Sequence, residues 1–207
     1  MIISHKYKFI FFAIPKTGTH SIRFALRPHL GADDEEHVNL LHQSKLSIAH
    51  FKDRSDGHIT VNEIRPHLTD EMWNSYFKFS FVRNPYDRFV SAVFFRNGNL
   101  HGKPKLALPV LNLTLAKQQL KTGMFYLPQI NYLNTTGNQP AIDFVGKTEN
   151  MQADFDYICN KLGIPTSTLD HKNTSEHDDY RTYYDEDLKQ KVKAFYQADL
   201  DAFDYSF

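Results

Sequence analysis

The sequence predicts a single α/β domain, residues 1–207, with a central parallel β-sheet flanked by helices. Apolar stretches at residues 8–14, 76–82 and 143–146 have the length and composition of buried strands. Each is followed by a short loop and a segment with helical periodicity. Strands that alternate with helices in this way form a parallel sheet covered on both faces. The composition, with 41% hydrophobic and 23% charged residues, is that of an ordinary globular protein.

The helices of the three units are predicted from apolar spacing and from residues that begin or end helices. The first spans about residues 19–30. The second follows Pro85, a residue type favoured in the first turn, and runs through Phe95. The third spans about residues 151–162 and ends at Gly163.

The two remaining regions have different characters. Residues 97–139 consist of loops and short helices interrupted by Pro104, Pro109 and Pro128. We expect them to form an insertion on the acceptor side that contributes ligand-binding loops. Residues 188–203 carry apolar side chains at helical spacing and predict a packing helix with a structural role.

Charge is balanced overall but unevenly distributed along the chain. The net charge of zero argues against a general nucleic-acid binder and against a protein that binds anionic membranes. Residues 88–142 nevertheless contain no carboxylate. They contain six cations: Arg88, Arg96, Lys103, Lys105, Lys117 and Lys121. This stretch is either a face that receives an anionic ligand or a solvated basic surface, and charge alone does not separate the two.

The sequence has no signal of a membrane or secreted protein. The apolar residues 9–14 are too few for a signal-peptide core, and no run of about 18 uncharged apolar residues occurs. A single cysteine, Cys159, cannot form an internal disulfide, which fits a reducing compartment. No pair of histidines has zinc-ligand spacing within a supporting motif. We therefore expect a cytoplasmic protein with no membrane partner and no metal, of undetermined oligomeric state.

The loop between the first strand and the first helix is a candidate anion site. Its sequence, Pro-Lys-Thr-Gly-Thr-His-Ser at residues 15–21, follows a buried strand and leads directly into a helix. Such a turn directs unpaired backbone N–H groups and the positive end of the helix at one point, where a phosphate binds. Lys16 adds a mobile cation, and Thr17, Thr19 and Ser21 add hydroxyl donors. We expect this loop to hold a 5′-phosphate.

The order of residues in the loop differs from that of nucleotide triphosphatases. In those enzymes Gly-Lys-Ser/Thr ends the loop, whereas here Lys16 precedes Gly18. A kinase or triphosphatase also needs a carboxylate that holds Mg²⁺ at a strand end, and the second strand ends at Arg83. The loop therefore favours a phosphate derivative bound without metal. His20, inside the loop, is interpreted as a shape or contact residue.

A second motif begins where the second strand ends. Arg83 lies at that point, and Ser91 lies eight residues further on, two turns into the following helix. A guanidinium and a hydroxyl placed in this way can bind one phosphate together. Arg88 is given a structural role, in a pair with Asp87 or with neighbouring carboxylates.

These motifs resemble those of the sulfotransferases that use the donor 3′-phosphoadenosine 5′-phosphosulfate (PAPS), and specifically the carbohydrate branch that includes the heparan 2-O-sulfotransferases. The resemblance continues through residues 127–133, 143–150 and 171–175 and covers nearly the whole chain. It implies the P-loop nucleotide-kinase-like fold of that family and transfer of a sulfuryl group to an acceptor hydroxyl. The resemblance to the carbohydrate branch implies that this hydroxyl belongs to a carbohydrate. The chain lacks the membrane anchor and paired cysteines of the Golgi members, so we expect a cytosolic, bacterial-type relative.

The resemblance also implies roles for individual residues. In the family, the loop equivalent to residues 15–19 binds the 5′-phosphosulfate, and the element equivalent to Arg83 and Ser91 binds the 3′-phosphate. Ser175 is implied to close over the same nucleotide phosphate. Lys16 is suited to neutralise the charge that develops on the departing phosphate.

The acceptor hydroxyl must lose a proton, and histidine has a suitable pKa near neutrality. The chain contains 11 histidines. His58 lies in a Gly-His segment that matches the segment carrying the base in the 2-O-sulfotransferase relatives, so we take His58 as the base. His50 and His42 are the alternatives.

The acceptor site and the rival functions complete the hypothesis. Gln129 and Tyr132, with the cations of residues 96–121, are predicted to contact the acceptor, although core packing explains Tyr132 equally well.

Two other functions compete with sulfuryl transfer. The first, a kinase on a related sheet, would need Mg²⁺ and ATP. The other, a catalytically silent nucleotide-binding or partner-binding module, would keep Arg83 and Ser91 but would not need His58.

Overall fold

A mixed β-sheet lies at the centre of the protein. The structure is a computed structural model that describes residues 1–37, 46–54, 56–98, 100–117, 123–135, 137, 139–169 and 179–207. Its strands are β1 (Ile2–Ser4), β2 (Phe9–Phe12), β3 (Glu35–Glu36), β4 (Phe77–Val82) and β5 (Phe144–Lys147). They lie side by side in the order β3-β1-β2-β4-β5. The pairs β2–β4 and β4–β5 are parallel, whereas β1 is antiparallel to both β2 and β3.

The helices follow the strands as an α/β fold requires. They are α1 (Thr19–Leu26), α2 (Val61–Ile64), α3 (Asp70–Ser75), α4 (Pro85–Asn97), α5 (Pro104–Ala116), α6 (Ile130–Leu133), α7 (Met151–Leu162), α8 (Glu186–Phe195) and α9 (Gln197–Phe203). The predicted α/β domain with parallel strands flanked by helices is confirmed, and α1, α4 and α7 each follow a parallel strand. No helix within the described ranges is long and apolar enough to cross a bilayer.

Three local predictions differ from the structure. Helix α1 ends before the predicted boundary because Pro28 forms part of a separate 3₁₀ turn, Arg27–His29. Helix α5 continues through Pro109 rather than breaking there. The predicted packing helix near the end of the chain is two helices, which meet at Tyr196.

Both faces of the sheet are covered by helices. Because side chains alternate along a strand, successive residues pack against opposite layers. In β2, Ile10 and Phe12 belong to an apolar cluster that also contains residues of α2, α6 and α9. Phe9 and Phe11 belong to the opposite cluster, with residues of α1 and α7. A third cluster joins α4, α5 and α8. The strands are therefore held rigidly between two helical layers, as in other parallel sheets.

The parallel arrangement brings three loops to one edge of the sheet. Strands β2, β4 and β5 end at Phe12, Val82 and Lys147, and parallel strands present their carboxyl ends on the same side. The hydroxyl of Thr148, just after β5, donates to the carbonyl of Val82 at 2.9 Å. The same hydroxyl lies 3.5 Å from the carbonyl of Thr17, in the loop after β2. The ends of the three strands therefore meet around one site.

Candidate active site

The loop at residues 15–19 turns sharply into helix α1. Gly18, immediately before the helix, has φ of 73°. Lys16 also has a positive φ, 68°. A left-handed conformation is uncommon for a lysine and is concentrated at functional sites. The N–H groups of the first helical turn, at Thr19 and His20, have no acceptor within the helix, so the turn presents them to a ligand.

The underside of the loop is fixed by contacts with the protein interior. The hydroxyl of Thr17 donates to the carbonyl of Ile14 at 3.0 Å, so this hydroxyl serves the loop itself. A Cβ added to Gly18 would lie 2.2 Å from the Cε of Met151, in α7. Glycine therefore satisfies both the backbone conformation and the packing at this position.

Lys16 extends from the loop towards the far end of α4. Its Nζ lies 4.3 Å from the centre of the Phe95 ring. The pKa of Lys16 is lowered to about 8, first by burial and then by the nearby positive charge of Arg83. The side chain is half-buried and remains mostly protonated at neutral pH.

The side chain of Arg83 contacts the loop at residues 15–19 directly. Its NH1 donates to the carbonyl of Lys16 at 3.4 Å, and its Nε donates to a carboxylate oxygen of Asp87 at 2.8 Å. The side chain of Gln129 accepts from the Arg83 backbone N–H at 2.9 Å and donates to the Arg83 carbonyl at 2.8 Å. The structure therefore brings Lys16 and Arg83 into one site, with Arg83 held at both backbone and side chain.

Ser91 lies on the face of α4 that is turned towards the loop. Asp87, Ser91 and Phe95 are spaced four residues apart and share one helix face. Asp87 holds Arg83 and Phe95 contacts Lys16, so the helix face that carries Ser91 meets both cations. The binding role of Ser91 stays a prediction.

The remaining loop residues lie at the start of α1. Thr19 is buried, whereas His20 and Ser21 are half-buried. The pKa of His20 is lowered by burial, then by the positive charges of Arg23 and Lys16. The role of His20 as a shape or contact residue stays a prediction.

Arg88 has a structural role, but its partners are not those expected from the sequence. Asp87 pairs with Arg83, four residues before it, instead of with Arg88. Arg88 is buried, and its Nε and NH1 each donate at 3.0 Å to the carbonyls of Pro15 and Leu127. Arg88 therefore joins the loop at residues 15–19, the candidate anion loop, to the segment that carries Gln129.

Gln129 and Tyr132 are both placed in the interior of the protein. Gln129 is 0% exposed, and its backbone N–H donates to the buried carboxylate of Asp199 at 2.8 Å. Tyr132 is 1% exposed, and its hydroxyl donates to the carbonyl of Met124. The contacts made by Gln129 hold the backbone of Arg83 in place. Contact of Gln129 or Tyr132 with an acceptor stays a prediction.

His58 lies beside the exit of β2. Its Nδ1 is 2.7 Å from the carbonyl of Ala13, an acceptor that fixes the proton on Nδ1 and leaves the lone pair on Nε2. Burial lowers the pKa of His58 to about 4, so the ring is neutral near pH 7. The alternative His50 is exposed and stacks on His67, with ring centres 4.9 Å apart. His42 and Ser175 lie outside the described residues.

Sequence reasoning missed three contributors to the site. The Arg83–Asp87 pair has the four-residue spacing of a helical ion pair, so a spacing search finds it. The bond between Gln129 and Arg83 spans 46 positions and leaves no local signal. Phe95 was placed in the helix only, because nothing in an apolar residue near a helix end indicates contact with a distant lysine.

The fold and the site together define a class of protein. An anion loop between a parallel strand and a helix, with a second cation at the adjacent strand end, is the arrangement of an α/β protein that binds a phosphate-bearing ligand at the carboxyl edge of its sheet.

Comparison with known proteins gives the family. Residues 1–123, more than half of the chain, match the model of the Sulfotransferase family, and the chain belongs to that family. Family membership makes the protein a transferase of sulfuryl groups. The crystal structure of a sulfotransferase from Alicyclobacillus acidocaldarius is similar over 93% of both chains, with 15% sequence identity and a TM-score of 0.40. No curated protein sequence matches the chain significantly.

Replacing Gln129 tests its positioning role. Gln129→Leu leaves the Arg83 backbone N–H and carbonyl without their partners inside the protein, and it should lower the free energy of unfolding by about 1–3 kcal/mol. Urea unfolding followed by circular dichroism measures this loss. Gln197→Leu is the matched control, because Gln197 is exposed and its side chain donates to the exposed carboxylate of Asp201. Equal stability of the two variants would contradict the role of Gln129.

Proposed function

We propose that the protein transfers the sulfuryl group of PAPS to a hydroxyl group of a carbohydrate acceptor in the cytoplasm, without a metal ion. The observation that carries the proposal is the contact between the two motifs, in which the Arg83 guanidinium donates to the Lys16 carbonyl at 3.4 Å. A donor with separate 5′- and 3′-phosphate groups needs two anion sites within one nucleotide's reach. The loop and Arg83 have this relation.

The chain supplies suitable groups for both ends of the donor. The N–H groups of Thr19 and His20, with Lys16, would hold the 5′-phosphosulfate. Arg83 and Ser91 would hold the 3′-phosphate. Arg83 uses its Nε on Asp87 and one NH1 proton on the Lys16 carbonyl. Because a guanidinium has five N–H donors, Arg83 is fixed in position and still has donors for a phosphate.

Lys16 and His58 would divide the chemistry of transfer between them. The S–O bond to the acceptor oxygen forms as the S–O bond to the phosphate breaks, and Lys16 would neutralise the charge that collects on the departing phosphate. The acceptor proton would pass to Nε2 of His58, whose other nitrogen bonds to the Ala13 carbonyl. An anionic donor beside His58 would raise its pKa in the complex and make it a stronger base.

The carbohydrate acceptor is supported by the resemblance of the motifs to the 2-O-sulfotransferase branch. The exposed side chains of Arg96, Lys103 and Lys105 also suit an acceptor with carboxylate or sulfate groups. Helix α5 and the segment before it carry two of these cations, in the region expected to contribute ligand-binding loops.

The role of Arg83 is tested by nucleotide binding. Isothermal titration should show tighter binding of adenosine 3′,5′-bisphosphate than of adenosine 5′-monophosphate. Arg83→Met should weaken bisphosphate binding by about 10- to 100-fold, because it removes charge-assisted hydrogen bonds to the 3′-phosphate. Arg65→Met is the control, since Arg65 pairs with the surface residue Asp70. Equal affinity of the unmodified protein for the two nucleotides would remove the role given to Arg83, and Mg²⁺-dependent ATP binding would favour a kinase.

The assignment of the base is tested by His58→Gln. Glutamine can still donate to the Ala13 carbonyl but cannot accept a proton, so the turnover number should fall at least about 100-fold. Bisphosphate affinity should stay within about twofold of the unmodified value, because His58 is not given a phosphate contact. His67→Gln, at an exposed position, should keep full turnover. Full activity of His58→Gln would transfer the base role to His50 or His42.

The pH dependence of kcat/KM tests the two reacting groups together. His58 must be neutral and Lys16 charged, and their pKa values in the free protein are about 4 and about 8. Activity should therefore rise with pH through the lower value and decline above the higher one. Lys16→Arg should remove the alkaline decline, because a guanidinium stays charged throughout. An unchanged alkaline decline in that variant would show that another group causes it.

A further inference from the structure

Phe95 is the most exposed phenylalanine of α4, yet its ring is part of the site. The residue is 62% exposed. One contact of the ring is the Lys16 ammonium, 4.3 Å from the ring centre, and another is the ring of Phe125, 5.3 Å away. A single exposed apolar side chain normally needs no explanation. The contact with the Lys16 ammonium explains why the Phe95 ring lies at the surface.

Phe95 and Asp87 lie on the same helix, α4, and each contacts one of the two cations of the site. Asp87 and Phe95 are eight residues apart on one face, a separation of about 12 Å along the helix axis. Asp87 holds the Arg83 guanidinium near the start of α4, and Phe95 holds the Lys16 ammonium near its end. One rigid helix therefore sets the spacing between the two cations.

We propose that Phe95 is a positioning residue that holds the Lys16 ammonium, by a cation–π contact, where it can meet the departing phosphate. This inference rests on the proposed sulfuryl transfer. The ring face attracts the cation, but it carries no net charge and takes none of the three N–H donors of the ammonium as a full hydrogen bond. A carboxylate in the same place would hold Lys16 equally well, but it would cancel the charge that the phosphate needs.

The surroundings of Lys16 explain why such a contact is required. The positive charge of Arg83, at the end of β4, repels the Lys16 ammonium and lowers its pKa. His20 in α1 is close enough for the charge of Lys16 to lower the His20 pKa. The carboxylate of Asp87 in α4 is engaged by Arg83. The Phe95 ring therefore provides an attraction that offsets the repulsion without adding a competing anion.

The direct test combines two substitutions at Phe95 with removal of Lys16. Phe95→Leu removes the ring face and should lower the turnover number by about 2- to 5-fold, whereas Phe95→Tyr, which keeps the ring face, should retain most of the activity. In a Lys16→Ala background, Phe95→Leu should cause no further loss, because the two residues act as one unit. The matched control is Phe24→Leu, since Phe24 is 53% exposed and has the Arg27 guanidinium 4.8 Å from its ring centre.

A second measurement needs neither donor nor acceptor. In the NMR spectrum of the free protein, the side-chain CH₂ protons of Lys16 nearest the ammonium should be shifted by the aromatic ring. Their signal is identified by its loss in Lys16→Ala. Phe95→Leu should move this signal to the position of an ordinary exposed lysine, whereas Phe95→Tyr and Phe24→Leu should leave it in place.

The outcomes separate this inference from the proposed function. An unshifted Lys16 signal, or an equal loss of turnover on Phe95→Leu with and without Lys16, would overturn the positioning role alone. Failure of the unmodified protein to bind adenosine 3′,5′-bisphosphate would overturn the proposed function and the role of Phe95 within it. In that case, the NMR signal would still report whether Lys16 and Phe95 are in contact.

Discussion

Two arginines hold successive carbonyl groups of the anion loop, and the geometry of the site depends on these bonds. Arg88 donates to the Pro15 carbonyl at 3.0 Å, and Arg83 donates to the Lys16 carbonyl at 3.4 Å. Because both arginines belong to the segment that follows β4, the loop after β2 is fixed relative to the neighbouring strand. The two carbonyl groups therefore accept hydrogen bonds from the protein, whereas the N–H groups of the first turn of α1 have no acceptor within the helix. The same bonds place the two cationic motifs next to each other.

Helix α9 also supports the site, through buried hydrogen bonds that link Asp199, Gln129 and Arg83. The carboxylate of Asp199, in α9, accepts from the backbone N–H groups of Gln129 and Ile130 at 2.8 Å each. The Gln129 side chain in turn bonds to both backbone groups of Arg83. Burial raises the pKa of Asp199, and the hydrogen bonds that it accepts oppose this rise. A buried network with all of its partners in place is rigid, and it transmits the position of α9 to Arg83.

The sequence predicted the elements with strong local patterns and missed those that depend on distant contacts. The parallel strands and helices α1, α4 and α7 have clear apolar periodicity. Strands β1 and β3 have three and two residues, too few for a period to be recognised. The motif residues Lys16 and Arg83 could be proposed from the sequence because loop chemistry is local. The positions of Gln129 and Phe95 were not, because their partners lie 46 and 79 positions away in the sequence.

The most direct test of this account is a crystal structure with adenosine 3′,5′-bisphosphate bound. One nucleotide should bind at the carboxyl edge of the sheet, with its 5′-phosphate on the N–H groups of the first turn of α1 and its 3′-phosphate on Arg83. Lys16 should lie within hydrogen-bond distance of the 5′-phosphate. A nucleotide bound elsewhere, or one whose 3′-phosphate does not contact Arg83 while its 5′-phosphate occupies the loop, would contradict the account.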